Sequence, residues 1–157
     1  MAATDHVQNQ MLDAIQAALV AAALVATGRV YLDRTDEIPQ EHLPAIDILG
    51  GDEGDEESIE YQTVHFPPLQ ARAFTFPITS ITRGDDSART ARNLAGEVEA
   101  TLLASSGVIT VAGRKVSMLL ASSSSSKTGD ANARMCAVRQ SWQAQYHTSG
   151  GTPTVPR

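Results

Sequence analysis

Acidic residues and glycines are concentrated in one short stretch, GGDEGDEES, at positions 50–58. Carboxylate oxygens are ligands that calcium and magnesium prefer, so a metal site is the first chemistry to consider. An EF-hand loop needs alternating oxygen ligands, a central glycine and a glutamate at its twelfth position. In DEGDEESIEYQT, Gly54 is third and Thr63 is twelfth, so the EF-hand pattern fails. The stretch is predicted to be a solvated acidic turn, with adventitious binding of divalent ions as the alternative. Its five carboxylates belong to Asp52, Glu53, Asp55, Glu56 and Glu57.

Other reactive side chains form no recognisable catalytic pattern. The four histidines lie in four different segments, without the i, i+4 spacing of a helical zinc site. They are His6, His42, His65 and His147. No serine occupies a G-x-S-x-G turn, and SSSSSKTG lacks the first glycine and the residue order of a phosphate-binding loop. We therefore assign no catalytic, cofactor-binding or metal-binding residue, and predict a protein that is not an enzyme and needs no cofactor.

Length, charge and cysteine content restrict the remaining classes. A chain of 157 residues fits one domain, and its net charge of −6 argues against wrapping nucleic acid. Cys136 is the only cysteine, which excludes an intrachain disulfide and suits a reducing compartment. The apolar run at 14–26 is shorter than the roughly 18 residues of a spanning helix, and no basic residue precedes it. We expect a soluble intracellular helix there and no membrane partner.

Helical spacing of apolar residues predicts an N-terminal helix. Thr4 or Asp5 is an acceptable N-cap, and Gly28 is expected to end the helix. The apolar positions are Val7, Met11, Leu12, Ile15, Ala18, Leu19 and Ala22. RVYLD and PAIDIL then predict two short strands separated by a proline-containing loop.

The acidic stretch lies between two predicted strands. SIEYQTVHF, after it, alternates with a period of two, as a half-buried strand does. Two strands joined by a glycine-rich connection usually form a hairpin, so the acidic residues are predicted to occupy a hairpin tip.

ARAFTFPITSI predicts the strand that carries the aromatic centre of the core. Phe74, Phe76 and Ile78 share one face, and Pro77, which lacks a backbone donor, predicts an edge strand or a bulge. A second helix follows, with Asp85, Asp86 or Ser87 as its N-cap. Its buried stripe is predicted to be Ala91, Leu94, Ala95, Val98 and Leu102.

The C-terminal part predicts three further strands. GVITV and VSMLLA are joined by a turn at AGRK, and the serine-rich segment 122–130 is predicted to be a mobile hairpin loop. The last strand is amphipathic, with Cys136, Val138, Trp142, Ala144 and Tyr146 on one face. The order of elements predicts one α+β domain at 1–147, with a largely antiparallel or mixed sheet, two main helices on one face, and a flexible tail at 148–157.

This order of elements resembles that of the tail terminator proteins of long-tailed bacteriophages. The resemblance covers residues 5–147 and depends on LPAIDIL followed by an acidic turn, ARAFTFPITSI, one long helix and a long final strand. It implies a subunit of a ring, hexameric in that family, on the last ring of tail-tube subunits. Such a ring stops tube polymerisation and joins the tail to the neck of the capsid. The resemblance implies no catalysis, and the family offers no fixed motif whose residues transfer to this chain.

The resemblance also implies partners and a location. The partners are other copies of the chain, the tail-tube protein and a neck or head-completion protein, in a virion assembled in the host cytoplasm. DNA passes through the ring without specific binding, and an inward-pointing acidic hairpin would repel its phosphates. An outward, solvated turn is the alternative for the hairpin. For the protein, the alternatives are a neck or head-tail completion adaptor, and a host enzyme or regulator. The serine-rich segment and the tail GGTPTVPR depart from shorter members of the family.

Overall fold

Two helices and seven strands make up the described part of the chain. The computed structural model describes residues 6–22, 26, 29–50, 54–62, 69–129 and 134–149. The elements are α1 (Val7–Ala21), β1 (Val30–Leu32), a 3-10 turn (Gln40–His42), β2 (Ala45–Ile48), β3 (Glu56–Gln62), β4 (Leu69–Arg83), α2 (Ser87–Leu102), β5 (Val108–Val111), β6 (Arg114–Thr128) and β7 (Met135–Ser149). Their order is the one that the sequence predicts.

All seven strands belong to one mixed sheet. Its order is β1-β2-β4-β7-β6-β5, and β3 pairs with β4 on the same side as β2. β1 and β2 are parallel, and every other pair is antiparallel. With two helices beside this sheet, the predicted α+β class is confirmed.

The long ladder between β4 and β7 forms the centre of the sheet. It runs from the pair Leu69 and Ser149 to the pair Arg83 and Met135. Both strands alternate between buried and partly exposed residues, so one sheet face carries Phe74 and Phe76 of β4 beside Ala144 and Trp142 of β7.

Both helices pack on this buried face, which we call the helix face. The stripe predicted for α2 is fully confirmed, since Ala91, Leu94, Ala95, Val98 and Leu102 are all buried. Phe74, Phe76, Trp142 and Leu94 lie in one core cluster, as predicted, together with Met11 and Ile15 of α1. Cys136 is also buried, beside Ala91, Ala95 and Val138, and acts as a small apolar residue.

The start of α1 differs from the prediction. His6 is the N-cap, because its ring Nδ1 accepts a hydrogen bond from the Gln8 amide at 3.2 Å. Thr4 and Asp5, the predicted caps, and Gly28, the predicted end, lie outside the described residues. The helix itself ends at Ala21.

The other sheet face, which we call the open face, is covered at one end. There the loop before β2 places Ile38 and Leu43 against Ala45, with Tyr31 and Ile81 partly buried around them. Farther along the sheet, Thr75, Gln143 and Ser141 are partly exposed on this face.

The acidic stretch does not connect a hairpin, so that prediction is wrong. β2 pairs with Ile78–Ile81 of β4, whereas β3 pairs with Leu69–Thr75 of the same strand, in the same direction. β2 and β3 therefore follow each other along one side of β4, and Phe76 and Pro77 of β4 lie between the two paired segments. The hairpin is formed instead by β3 and β4.

The prediction of an edge strand or a bulge at Pro77 is also wrong, because β4 is central and Pro77 pairs with Ser141 of β7 in regular register. The Pro77 carbonyl accepts a hydrogen bond from the Leu49 amide at 3.0 Å, so its backbone faces the side occupied by β2 and β3. Proline has no backbone N–H to donate, and Pro77 lies between the segments of β4 that pair with β2 and with β3. The interval between these two paired segments thus accommodates a proline inside a central strand.

The serine-rich segment is strand rather than loop. Ser122–Thr128 continue β6 and pair with Met135–Ser141 of β7, after an irregularity between Leu120 and Ser122. Every side chain from Ala121 to Thr128 is exposed. Backbone pairing with β7, which the composition of the segment does not reveal, holds it extended.

β7 continues through Thr148 and Ser149, the first two residues that the sequence assigns to a tail. Thr148 is fully buried. The rest of the predicted tail lies outside the described residues.

Candidate assembly surface

The five carboxylates of the acidic stretch do not share one environment. Asp52 and Glu53 lie outside the described residues. Asp55 and Glu56 are exposed. Glu57 instead forms an ion pair with Arg72, at 2.6 Å between Oε1 and Nη1, with side chains only 13% and 10% exposed. The prediction that all five lie in a solvated turn is therefore wrong for Glu57.

Arg72 is the centre of a polar network on the helix face. Besides Glu57, its Nε donates to Thr148 Oγ1 at 2.9 Å and its Nη2 donates to Gln70 Oε1 at 2.8 Å. Thr148 Oγ1 also donates to Gln70 Oε1 at 3.3 Å. The network links β3, β4 and β7 through side chains, in addition to the backbone ladder. A guanidinium needs such partners when it is removed from water.

Tyr146 lies on β7 directly opposite Arg72. Its hydroxyl is buried beside the Glu57 carboxylate and the Arg72 guanidinium. Burial raises the pKa of Tyr146 well above its ordinary value, and the Glu57 carboxylate raises this pKa further, whereas Arg72 lowers it. The phenol therefore stays neutral, and we assign it no role in proton transfer.

Glu56 and Glu57 point to opposite faces of the sheet, because side chains alternate along a strand. Glu56 pairs with Thr75 and Glu60 pairs with Ala71, which places both glutamates on the open face. Glu56 and Arg139 lie in the lining of a groove of about 370 Å³. The rest of its lining consists of Gly54, Thr75, Phe76, Pro77, Ser122, Ser124 and Ser141. Hydroxyl groups and two opposite charges suit polar contact with another macromolecule.

Asp47 is the one carboxylate of the open face with a marked pKa shift among the described residues. Burial raises its pKa from 3.8 to about 6, with Arg34 opposing the shift and Asp33 adding to it. Its Oδ1 is buried without a hydrogen-bond partner among these residues. The carboxylate lies against Gly50, where a β-carbon would come within 1.7 Å of Oδ2. Gly50, at the start of the acidic stretch, thus leaves space for this side chain.

The described histidines do not converge. His6 caps α1, His42 Nδ1 lies 3.3 Å from the Tyr31 hydroxyl, and His147 is exposed on β7. His65 lies outside the described residues. Across the described ranges, no three His, Cys, Asp or Glu side chains are grouped so that they could hold a metal ion. None of the described helices is long and apolar enough to cross a membrane.

Sequence reasoning missed the polar network, although one signal for it was present. Arg72 lies two residues before Phe74 and four before Phe76, on the same face of β4. A charge in register with core aromatics needs a buried partner. The identity of that partner depends on the pairing of β3 with β4, which the sequence does not specify.

Comparison with known proteins gives a fold but no family. No protein-family model matches the chain, and no curated protein matches it by sequence. Among solved structures, the chain is similar to a protein chain in the virion of a native gene transfer agent particle. The TM-score is 0.63 at 13% sequence identity, over 90% of this chain and 98% of the other. At this identity the likeness establishes a shared fold.

Proposed function

We propose that this chain is a structural virion protein that forms a ring on the end of a phage tail tube, stops its growth and joins it to the neck. The observation that carries the proposal is the fold shared with a chain of a gene transfer agent virion over nearly the whole of both chains. The order of elements, which resembles that of tail terminators, supports the same role. The partners are other copies of the chain, the tube protein and a neck or head-completion protein.

A ring of six follows from the resemblance, since a cap has to match the symmetry of the tube it covers. The protein acts by shape and surface, without a cofactor. The groove on the open face suits this role, because its serine hydroxyls offer polar contacts to a neighbouring protein.

The exposed carboxylates of the acidic stretch face the channel in this proposal. Asp55 and Glu56 are exposed, and Glu56 lies on the open face. Six copies of an acidic segment would surround passing DNA with negative charge and keep its phosphates from adhering. Glu57, which pairs with Arg72, contributes to the fold instead.

Tube assembly with purified components tests the proposed function. The cognate tube protein is polymerised with and without this protein, and tube lengths and tube ends are measured by electron microscopy. We expect shorter tubes, with a ring at one end and six copies of the chain per ring by mass measurement. Tubes of unchanged length and bare ends would refute the proposal. Binding to neck complexes without binding to tubes would support the adaptor role instead.

A further inference from the structure

The sheet leaves two long edge segments unpaired within the described part of the chain, besides the outer edges of the short strands β1 and β5. One is the outer edge of β3, Glu56–Gln62, whose partner on the inner side is β4. The other is the outer edge of β6 from Leu119 to Thr128, beyond the four residues that pair with β5. We call these the β3 edge and the β6 edge. Each presents unpaired backbone donors and acceptors, which favour the addition of another strand.

The two edges lie at opposite ends of the sheet. The β3 edge runs beside Leu69–Thr75 of β4. The β6 edge pairs with β7 from Gln143, opposite Leu119, to Met135, opposite Thr128. These residues of β7 pair in turn with Thr75–Arg83 of β4, so the β6 edge lies at the same height as that half of β4. On one side β2 and β1 occupy the remaining half, and on the other side β5 does. A neighbour that pairs its β6 edge with the β3 edge is therefore shifted along the strands, as in a closed ring of tilted strands.

Strand direction also fits such an extension. β3, β4, β7 and β6 alternate in direction across the sheet. If the β3 strand of a second copy is placed outside β6 in the same orientation, it is antiparallel to β6. The alternation of strand direction therefore continues from one copy to the next, with four strands from each copy. Contact between two different edges is heterologous, and it closes into a ring when the rotation is right.

The chemistry of the edges favours unlike pairing. The β3 edge carries Glu56, Glu57 and Glu60, and two such strands side by side would bring like charges together. The β6 edge carries a single charge, that of Lys127, and no proline. Native free edges are usually protected by charges, prolines or short length, and the β6 edge has little of this protection. Leu119, at its start, is 47% exposed.

We propose that the β6 edge of one copy pairs, antiparallel, with the β3 edge of the next copy, so that the sheets join into a continuous wall. The proposal rests on the ring proposed above and names the surface that closes it. The open face, with Glu56, then forms one side of the wall and the helices form the other.

Engineered cysteines test this pairing, since the native Cys136 is buried. Ser58 pairs with Ala73 and Ser124 pairs with Arg139, so both serines are on the open face. S58C is combined in one chain with S124C. In two further variants S122C or S126C replaces S124C, so that three possible registers between the β3 edge and the β6 edge are tested. S125C is the matched control, because Ser125 pairs with Val138 and points to the helix face. Each variant is oxidised both in free solution and when bound to tube ends. The cross-linked products are then separated by size under denaturing, non-reducing conditions.

The S58C and S124C pair in one chain should give a ladder of linked chains up to the ring size. A mixture of the two single variants should give dimers and nothing larger, and S58C with S125C should give little linkage. Dimers from S124C alone would show pairing of like edges and overturn the proposal. Intact rings without linkage in any register would also overturn it, while leaving the proposed function in place. A ladder from a protein that does not shorten tubes would sustain the pairing and refute the function.

Discussion

Replacing Glu57 by glutamine tests whether the acidic stretch contributes to stability. The change removes one charge but keeps the shape of the side chain. It leaves the Arg72 guanidinium, 10% exposed, with its neutral partners Gln70 and Thr148. Breaking a fully buried ion pair costs about 3–5 kcal/mol, and losing an exposed pair costs about 0–1 kcal/mol. Because both side chains retain some contact with water, we expect E57Q to lower the free energy of unfolding by about 2 kcal/mol.

Urea unfolding at neutral pH measures this change, and an unaltered slope would show that the unfolded state is the same. For a domain of this size, about 2 kcal/mol corresponds to a fall in melting temperature of about 4–8 °C. The matched control is E56Q, the preceding residue on the same strand, whose side chain is exposed and whose replacement should be nearly neutral. A double variant, E57Q with R72M, should lose less than the sum of the two single changes. If E57Q and E56Q unfold at the same urea concentration, the network does not stabilise the fold and our assignment of Glu57 is wrong.

Two further predictions concern the other carboxylates. D47N should stabilise the protein by about 1 kcal/mol above pH 6, a figure reduced to allow for the exposed part of the side chain. The pKa of Asp47 is raised by burial from 3.8 to about 6, so the folded state holds this proton more tightly and wild-type stability falls as the pH rises through that range. The gain should disappear below about pH 4, as unfolding curves at several pH values will show, and an equal gain at every pH would contradict this cause. Neutralising Asp52, Glu53, Asp55 and Glu56 together, with Glu57 kept, should leave tail length normal but slow DNA ejection, with a defect that shrinks at high salt. Normal ejection at low and high salt would place the segment outside the channel.

The sequence predicted the core and the order of elements because both depend on local periodicity. The α2 stripe and the alternation of Phe74, Phe76 and Ile78 could be read directly from the spacing of apolar residues. Which strands lie at the edges of the sheet, and which strands pair with each other, depends on contacts between segments distant in sequence. The β2 and β3 strands look like a hairpin along the chain, yet each pairs with β4.

Composition was a poor guide for two segments. A run of serines has no periodicity to indicate a strand, and β7 supplies the pairing that holds Ser122–Thr128 extended. Glu57 looks like one more solvated acid in its stretch. Its position on the strand turns it to the helix face, where Arg72 binds it. In both cases the decisive contact comes from a neighbouring strand, whose pairing the composition of the segment does not reveal.

The position of β7 sets the order of events during folding. It follows the other described strands along the chain, but it lies between β4 and β6 at the centre of the sheet and carries Trp142. Until β7 pairs, β4 lacks its longest partner and the long β6 has no backbone ladder beyond the four residues paired with β5. Pairing between segments so far apart in sequence is slow, because the loop that joins them must close first. The sheet therefore cannot be completed until β7 has inserted between β4 and β6, and a copy that lacks β7 has no continuous sheet.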